Sequence, residues 1–411
     1  MNILSLISAI SAPNDLWTII INWIQGAIGN FGWTIIIFTL LVKLITSPFD
    51  FVSKYTTRKQ TLVQKKYAPQ VAKLKKKFGK DEQQLKIQTN ALYKRDGVKT
   101  GLGCVIMLVN MIITMVIFFT LYDSLKKVSS YETIHQYEQL EQTYSDNFYN
   151  SVINSSSTDD IKTKDDAEDW FIDIQSAKLY IDTTEDKTTA TYASNLKKYT
   201  DGEPILTKAT ENASAAVVKK WNSIKSTWLW IDNIFVEDAT THPFPSYEAL
   251  KKLASNAGTY YSDYVKNNIN EESYTAISNI VHNDTTRDYN GYYILAILAG
   301  VVTYLSQFIT DRHNKLKNKK ANNLAKLSEQ QTGAKTMQIM KFILPIIMIM
   351  FTITTTASFG IYILASNIAS ILIGEIITII VDKLTKKQRL EVEEVLEKEA
   401  NRMIKKGQLK E

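Results

Sequence analysis

The chain has few of the residues that build disulfide frameworks and metal centres. Its 411 residues include one cysteine, Cys104, and four histidines that are scattered along the chain, His135, His242, His282 and His313. A single cysteine excludes an intramolecular disulfide and a cysteine-based metal site. Scattered histidines give a zinc centre no support. The sequence therefore predicts no metal and no cofactor.

Short motifs of nucleotide-driven pumps and serine hydrolases are also missing. The sequence contains no glycine-rich phosphate loop of the G-x-x-x-x-G-K-[ST] type and no G-x-S-x-G nucleophile elbow. The acidic residues are numerous, but their spacing selects no catalytic carboxylate pair. We expect a protein that is not an enzyme.

What the chain does have is long apolar runs. Its mean hydropathy of -0.14 conceals them because a large polar block dilutes the average. Five runs have near-membrane length: Trp33–Phe49, Cys104–Tyr122, Tyr292–Ile309, Phe342–Ser358 and Ile361–Val381. A helix needs about 20 mostly apolar residues to cross a bilayer, and no alternating barrel pattern is present. The sequence predicts an all-α polytopic membrane protein with a five-helix transmembrane core, whose last two helices form a tight hairpin at Phe359 and Gly360.

These runs divide the chain into predicted segments. In chain order they are an N-terminal segment with an interfacial amphipathic helix (1–31), the first span (32–52), a cytoplasmic helical hairpin (53–100), the second span (101–123), an enlarged extracytoplasmic domain (124–291), the third span (292–310), a cytoplasmic loop (311–338), the fourth span (339–358), the fifth span (361–382) and a basic tail (383–411). Helical stretches are expected in the large domain at Tyr131–Tyr149, Glu203–Ser226 and Tyr247–Asn268. Its tryptophans favour a packed core over full disorder.

Charge predicts the orientation of the spans. Lys and Arg outnumber Asp and Glu by 14 to 3 in residues 51–100, by 7 to 2 in 310–336 and by 9 to 6 from 383 onward, whereas acidic residues lead by 26 to 16 in 124–291. Basic segments stay cytoplasmic. We therefore expect a multi-pass protein of the cell membrane with the N-terminus outside and the C-terminus in the cytoplasm.

The N-terminal segment leaves two alternatives open. Residues 1–13 resemble a short signal core without basic residues before it, so a processed start is one of them. The stretch Asp15–Asn30 has an apolar face with two tryptophans, which favours a helix lying on the outer interface. A sixth crossing is the alternative and would place the N-terminus inside.

Two cytoplasmic segments have helical patterns. Apolar residues at helical spacing predict helices over Lys54–Phe78 and Asp81–Arg95, joined at Gly79 and Lys80. Their basic faces suit either anionic lipid or the polyphosphate of ribosomal RNA. The tail after Lys383 is predicted as a charged helix, which is either a frayed end or a ribosome-facing arm.

Lys43 is the most informative residue because it lies within the first apolar run. A charged side chain at the bilayer centre costs at least about 2.5–3.5 kcal/mol, so it normally faces a wet cavity or a partner. Other spans carry polar residues that could share one hydrophilic groove with it: Asn110, Ser306, Gln307, Ser366, Asn367, Ser370 and Glu375. Glu375 is either a counter-ion for Lys43 or a residue at the lipid headgroups. Single polar residues in a span are otherwise common helix–helix contacts.

A family resemblance connects these features. The segment from Gly32 to Pro48 resembles the first core helix of the YidC/Oxa1/Alb3 membrane protein insertases, with Lys43 at the position of the groove cation. Gly101–Cys104 resembles the entry to the second core helix, Thr303–Gln307 the third and Tyr362–Asn367 the fifth. Residues of the predicted hairpin also resemble the family pattern: Lys59, Gln60, Pro69 and Tyr93. The resemblance covers about half of the chain.

The resemblance implies a function that is absent from the residue patterns alone. It implies a membrane protein insertase and chaperone that moves nascent membrane proteins into lipid through a hydrophilic groove, without nucleotide hydrolysis. The implied groove residues are Lys43, Asn110, Gln307, Ser366, Asn367 and Glu375, and the implied apolar slide for the client comprises Met107, Met111, Tyr362 and Ile363. Expected partners are nascent membrane proteins, membrane lipid, the ribosome through the basic tail and arms, and the Sec translocation channel as a further candidate. A monomer is expected to be the active form.

Three positions depart from the family pattern. Lys43 stands where the family usually has Arg, Val105 and Ile106 stand where a proline is expected, and Ile363 replaces a tryptophan. Lysine keeps the charge but loses the planar, multi-donor guanidinium. The alternatives from other classes are an ion-coupled transporter or channel that uses Lys43 and Glu375, and a scaffold whose outer domain carries the function.

Overall fold

The computed structural model describes residues 10–79, 81–97, 100–155, 161–284, 289–313 and 334–405. Over these residues the chain is mostly helical and contains no strand, although an isolated bridge joins Trp228 and Ile231. The prediction of an all-α protein is confirmed at this level. The chain divides into two compact units: Met1–Thr18 with Ser124–Tyr292, here called the insert unit, and Ile19–Asp123 with Tyr293–Glu411, here called the core unit.

The described residues form thirteen helices. In chain order they are α1 (Leu16–Ile28), α2 (Phe31–Phe78), α3 (Glu82–Arg95), α4 (Thr100–Ser155), α5 (Lys164–Thr183), α6 (Ala190–Ile224), α7 (Tyr247–Ala257), α8 (Thr259–Asn268), α9 (Glu271–Asp284), α10 (Ile294–His313), α11 (Ala334–Ile353), α12 (Ala357–Leu384) and α13 (Lys386–Lys405). Among the described residues, three helices are long and apolar enough to cross a membrane, and they lie in α2, α4 and α12. Shorter apolar helices are present at Leu16–Ile28, Ile294–Ile309 and Ile343–Ile353.

Helix α2 joins two segments that the sequence analysis treats as separate. It is capped at Asn30, whose side chain accepts a hydrogen bond from the Trp33 backbone N–H, and it continues through Pro48 and Pro69 to Phe78. The first half is apolar and the second half is basic. The predicted first span and the first arm of the predicted hairpin are therefore one helix. Asp81 caps α3, which packs back on α2.

The junction between α11 and α12 differs from the predicted hairpin. The chain turns at Thr354–Thr356, and α12 begins at Ala357, so Phe359 and Gly360 lie inside a helix. A side chain at Gly360 would approach Thr352 Cγ2 to 3.1 Å and Leu295 Cδ1 to 3.2 Å. This glycine allows close helix packing and does not form the turn. The prediction placed the junction at Phe359 and Gly360 because glycine is common in turns.

Within the core unit, α12 is the central packing element. It contacts α2, α10 and α11, and α10 also packs on α11. Aromatic rings add to these contacts, as Phe118 of α4 lies 5.5 Å from Phe359 and 6.0 Å from Phe351 between ring centroids. Many apolar side chains on α2, α4 and α12 are exposed, which is the expected state for surfaces that face lipid.

The insert unit is a helical domain with two packed cores. One core is built around buried aromatic residues from α4, α6 and α9, including Tyr137, Trp221 and Tyr274. The other joins α4, α5 and α6 through Phe148, Tyr149, Ala209 and Ala213. The expected stretch Tyr247–Asn268 is two helices, α7 and α8, because Gly258 adopts a φ of 123° between them.

Candidate functional site

Lys43 lies on the apolar half of α2 in the core unit and interacts with a carboxylate that sequence analysis overlooked. Asp50 is seven residues further along the same helix, about two turns away and therefore on the same face. It is the acidic residue whose charge acts on Lys43. Asn110 of α4 donates a hydrogen bond from Nδ2 to Asp50 Oδ1 at 3.3 Å. Two of the predicted groove residues, Lys43 and Asn110, are thus connected through Asp50.

Glu375 acts on Lys54, a second lysine of α2. The cation beside it is Lys54, on the basic half of α2, which Asp50 also attracts from one turn away. Lys54 donates a hydrogen bond from Nζ to the Gly374 carbonyl oxygen at 2.9 Å. Asp50 thus attracts both Lys43 and Lys54, and Glu375 attracts Lys54. The hypothesis that Glu375 neutralises Lys43 stays a prediction.

A polar cavity of about 220 Å³ lies around Lys54 in the core unit. Its lining comes from α2, α10 and α12: Ser53, Lys54, Thr57, Arg58, Thr61, Ser306, Ile309, Ser370, Ile371, Gly374, Glu375, Thr378, Val381 and Asp382. Two cations and two carboxylates are therefore part of the wall. Such a cavity can hold water and polar groups between helices that are otherwise apolar.

The remaining predicted groove residues form contacts elsewhere in the core unit. Asn367 donates from Nδ2 to Thr303 Oγ1 at 3.1 Å, which links α12 to α10. Ser366 hydrogen-bonds with Tyr362. The Gln307 amide nitrogen is buried and has no hydrogen-bond partner among the described atoms. Buried polar atoms are normally satisfied by protein or ordered water, so this nitrogen needs a partner that the described atoms do not supply.

The predicted apolar slide is only partly at the surface. Tyr362 and Ile363 are 6% and 2% exposed and pack inside the core unit, so in this structure they are packing residues. Met111 on α4 is 49% exposed. The side chain of Met107 lies outside the described residues.

The residues of the predicted cytoplasmic hairpin take part in packing contacts and in charge contacts. Tyr93 lies 6.3 Å from Tyr67 between ring centroids, and Pro69 is buried on α2. Lys66 bonds Asp96 at 2.7 Å, which ties α3 to α2. Lys59 is exposed and lies 4.8 Å from the centre of the Tyr55 ring, and Gln60 is partly buried.

Helix α13, within the predicted basic tail, packs on α2. Val392, Leu396 and Ala400 form a buried cluster with Leu62. Lys73 bonds Glu399 at 3.0 Å, and Asp382 lies 2.9 Å from Arg58 and 3.7 Å from Arg389. Only the apolar spacing at 392, 396 and 400 in the sequence could have indicated this contact. No cluster of potential metal ligands is present among the described residues.

These features define an α-helical membrane protein with paired charges on an apolar helix and a polar cavity between its helices. The profile of the 60Kd inner membrane protein family matches residues 23–180 and 225–386, more than three quarters of the chain. The chain belongs to this family, which is the YidC/Oxa1 family.

Curated relatives with the name membrane protein insertase YidC match shorter segments. The relative from Thioalkalivibrio sulfidiphilus is 30% identical over 107 residues, which is 26% of this chain and 18% of the relative. The relative from Jannaschia sp. is 36% identical over 103 residues, 25% of this chain and 15% of its own length. That from Caldanaerobacter subterraneus subsp. tengcongensis is 33% identical over 99 residues, 24% of this chain and 46% of its own length. The chain thus covers less than half of each of these relatives. No solved structure matches.

Proposed function

We propose that this protein inserts nascent membrane proteins into the lipid bilayer. The observation that carries the proposal is that Lys43 and Asp50 share one face of an apolar helix, where Asp50 attracts Lys43 and accepts a hydrogen bond from Asn110. A charged group is retained within a membrane segment when it has a partner or a polar guest. Membership of the family and the names of the curated relatives favour a protein client as that guest.

The proposed architecture has five spans that contain α2, the first part of α4, α10, α11 and α12. Residues 124–291 are proposed to lie outside, and the hairpin, the loop at 311–338 and the C-terminal helix are proposed to lie in the cytoplasm. Most of the loop lies outside the described residues. The excess of basic residues in the three cytoplasmic segments supports this orientation.

The mechanism starts with competition for Lys43. A carboxylate in the leading tail of the client replaces Asp50 as the partner of Lys43, so the ammonium group is never left unpaired. The polar cavity around Lys54 then keeps polar parts of the client hydrated at the inner end. The apolar span of the client leaves water for lipid, which contributes about 25 cal/mol per Å² of apolar surface. The membrane potential adds a driving force on charged tails, and no nucleotide is required.

The proposed partners follow from charge and position. The basic surfaces of α2 and α3 suit the ribosome, since polyphosphate attraction needs only a cluster of cations. The Sec channel is a further candidate partner. Helix α13 uses its apolar face against α2, which leaves Lys398 and Arg402 exposed for the same kind of contact.

The test is insertion by the purified protein in liposomes without nucleotide. The client is a small single-span protein with an acidic outer tail, and the variants are Lys43→Arg and Lys43→Ala. We expect wild type and Lys43→Arg to insert the client and Lys43→Ala to insert it about tenfold or more slowly, since a lost charge contact of about 1.5–3 kcal/mol corresponds to such a factor.

Lys76→Ala is the matched control, because it removes an exposed lysine from the other half of the same helix. It should insert the client at the wild-type rate. Equal insertion by all variants would retain the insertase and remove the charge-dependent step. No insertion above empty liposomes would contradict the proposal that this chain is sufficient.

A further inference from the structure

The insert unit contains a second cavity, of about 330 Å³, that the proposed insertion mechanism does not use. It lies between α4, α5, α6 and α9, and its wall is mostly apolar. Pockets for small ligands begin at about this volume. The cavity therefore has room for one small ligand or one end group of a larger one.

Aromatic rings form one side of this cavity. Phe148 is the central ring of this group. The distances from its ring centroid to the ring centroids of its neighbours are 6.0 Å for Tyr144, 5.4 Å for Tyr149 and 5.3 Å for Phe171. The rings of Tyr149 and Phe171 are nearly perpendicular to Phe148, at 83° and 84°. Rings at right angles can present faces to one enclosed volume. The negative face of an aromatic ring attracts a cation.

A carboxylate completes the cavity wall. Glu141 lines the cavity beside the neutral Tyr137 hydroxyl, and no Lys, Arg or His forms a salt bridge with it among the described residues. The acidic residue one turn earlier is different, since Glu138 accepts a hydrogen bond from the Tyr264 hydroxyl and lies 3.5 Å from His135 Nδ1. A partly buried carboxylate that has no cationic partner within the described part of the chain is complementary to a positively charged ligand.

A cation already lies against one of the aromatic rings of the cavity wall. The Lys164 ammonium lies 5.6 Å from the centre of the Tyr149 ring and bonds Asp146 at 3.0 Å. The insert unit thus already combines a tyrosine ring, an ammonium group and a carboxylate next to this cavity.

We propose that this cavity binds a quaternary ammonium group of the choline type, with its charge near Glu141 and its methyl groups against the aromatic rings. A quaternary ammonium donates no hydrogen bonds, so it fits a wall with few polar atoms. A primary ammonium would need three acceptors and is more strongly hydrated. Quaternary ammonium groups are the cations that aromatic cages recognise.

The experiment compares two ligands of the same shape. Choline and 3,3-dimethylbutan-1-ol differ only in the central atom, which is a charged nitrogen in choline and a neutral carbon in the alcohol. Each is titrated into the full-length protein in a non-ionic maltoside detergent, and binding is measured by calorimetry. We expect choline to bind about tenfold more tightly than the alcohol, as expected for a desolvated cation–π site with a carboxylate.

Two variants and a control assign the binding to this cavity. Glu141→Gln should reduce choline binding to the level of the alcohol, and Phe171→Leu should weaken choline binding several-fold. Glu211→Gln is the matched control, since Glu211 is an exposed carboxylate next to the cavity residue Thr210 on α6 and does not itself line the cavity. It should bind choline as tightly as wild type. Thermal unfolding of each variant checks that the unit remains folded.

The outcomes are distinct. Equal binding of both ligands to wild type, or no binding of either, would overturn the proposal. Choline binding that survives in Glu141→Gln would also overturn it. A further titration with glycerophosphocholine identifies the source: binding equal to that of choline indicates a lipid headgroup, and exclusion indicates a free quaternary ammonium compound.

Discussion

At the scale of single residues, Asp50 changes the interpretation of Lys43. A lone cation on an apolar helix would attract any acidic tail, whereas a paired cation requires the tail to compete with a carboxylate. The nearby carboxylate makes the site more selective and the lysine less costly to keep within a membrane, because an opposite charge on the same helix face offsets the charge of the ammonium group.

This gives a prediction for Asp50→Asn. The amide keeps the shape and the contact with Asn110 but removes the competing charge. We expect insertion of an acidic-tail client to rise several-fold relative to a neutral-tail client, measured as a ratio of rates in proteoliposomes. A comparable change of this ratio in Glu375→Gln, with none in Asp50→Asn, would show that Glu375 is the counter-ion of Lys43.

His282 in the insert unit gives a prediction for pH dependence. Burial lowers its pKa from 6.5, with His242 adding to the effect, while its Nε2 lies 2.7 Å from the Phe244 carbonyl oxygen. The unfolded chain therefore binds more protons than the folded chain just below pH 6.5. The contribution of His282 to stability is present above that pH and is lost as the pH falls toward the folded pKa.

Thermal unfolding between pH 5 and 7.5 checks this expectation. Wild type should lose stability with decreasing pH more steeply than His282→Gln, whose side chain does not titrate in this range. The near-ultraviolet circular dichroism signal of the aromatic core is a suitable readout. An identical pH dependence of the two proteins would contradict the role of His282.

At the scale of elements, α13 is a docked helix. Its apolar face at Val392, Leu396 and Ala400 packs on Leu62, and charged pairs border the contact. Most of the stability of a helix in a protein comes from tertiary packing of its apolar face, so this contact should supply most of the stability of α13. Loss of the apolar contact should release the helix before the rest of the unit is affected.

Leu396→Ala tests this contact. Leu396 is fully buried, and removing such a side chain costs about 2–5 kcal/mol. We expect amide hydrogen exchange in residues 386–405 to accelerate at least about tenfold, with little change in α10 or α12. Val395→Ala is the matched control because Val395 is 41% exposed. Equal acceleration in both variants would show that α13 is not held by its buried face.

At the scale of the whole molecule, the proposed topology can be tested by replacing the single native cysteine and introducing new cysteines at chosen positions. In a Cys104→Ser background, Asn150→Cys adds a thiol in the insert unit and Lys398→Cys adds one in α13, and both native side chains are exposed. A membrane-impermeant maleimide applied to intact cells should label position 150, and position 398 only after permeabilisation. The reverse pattern would overturn the proposed orientation.

The sequence alone determined the helical class, the position of the apolar runs and the family. These features depend on residue type and on spacing along one helix, as the apolar runs of α2 and α12 show. They can therefore be predicted without knowing which helices pack together. The sequence also identified Lys43, since a charged residue within an apolar run can be recognised before the fold is known. Asp50 was equally visible, but it lies just beyond Phe49, where the apolar run ends.

Only the tertiary structure decided which charges meet. Lys43 and Asp50 share a face because helix α2 continues through Pro48, and Glu375 comes near Lys54 because α2 packs against α12. The burial of Tyr362 and Ile363, the packing role of Gly360 and the aromatic cavity at Glu141 depend in the same way on helices far apart in sequence. Residue spacing fixes which face of a helix is apolar, and contacts between helices determine what that face meets.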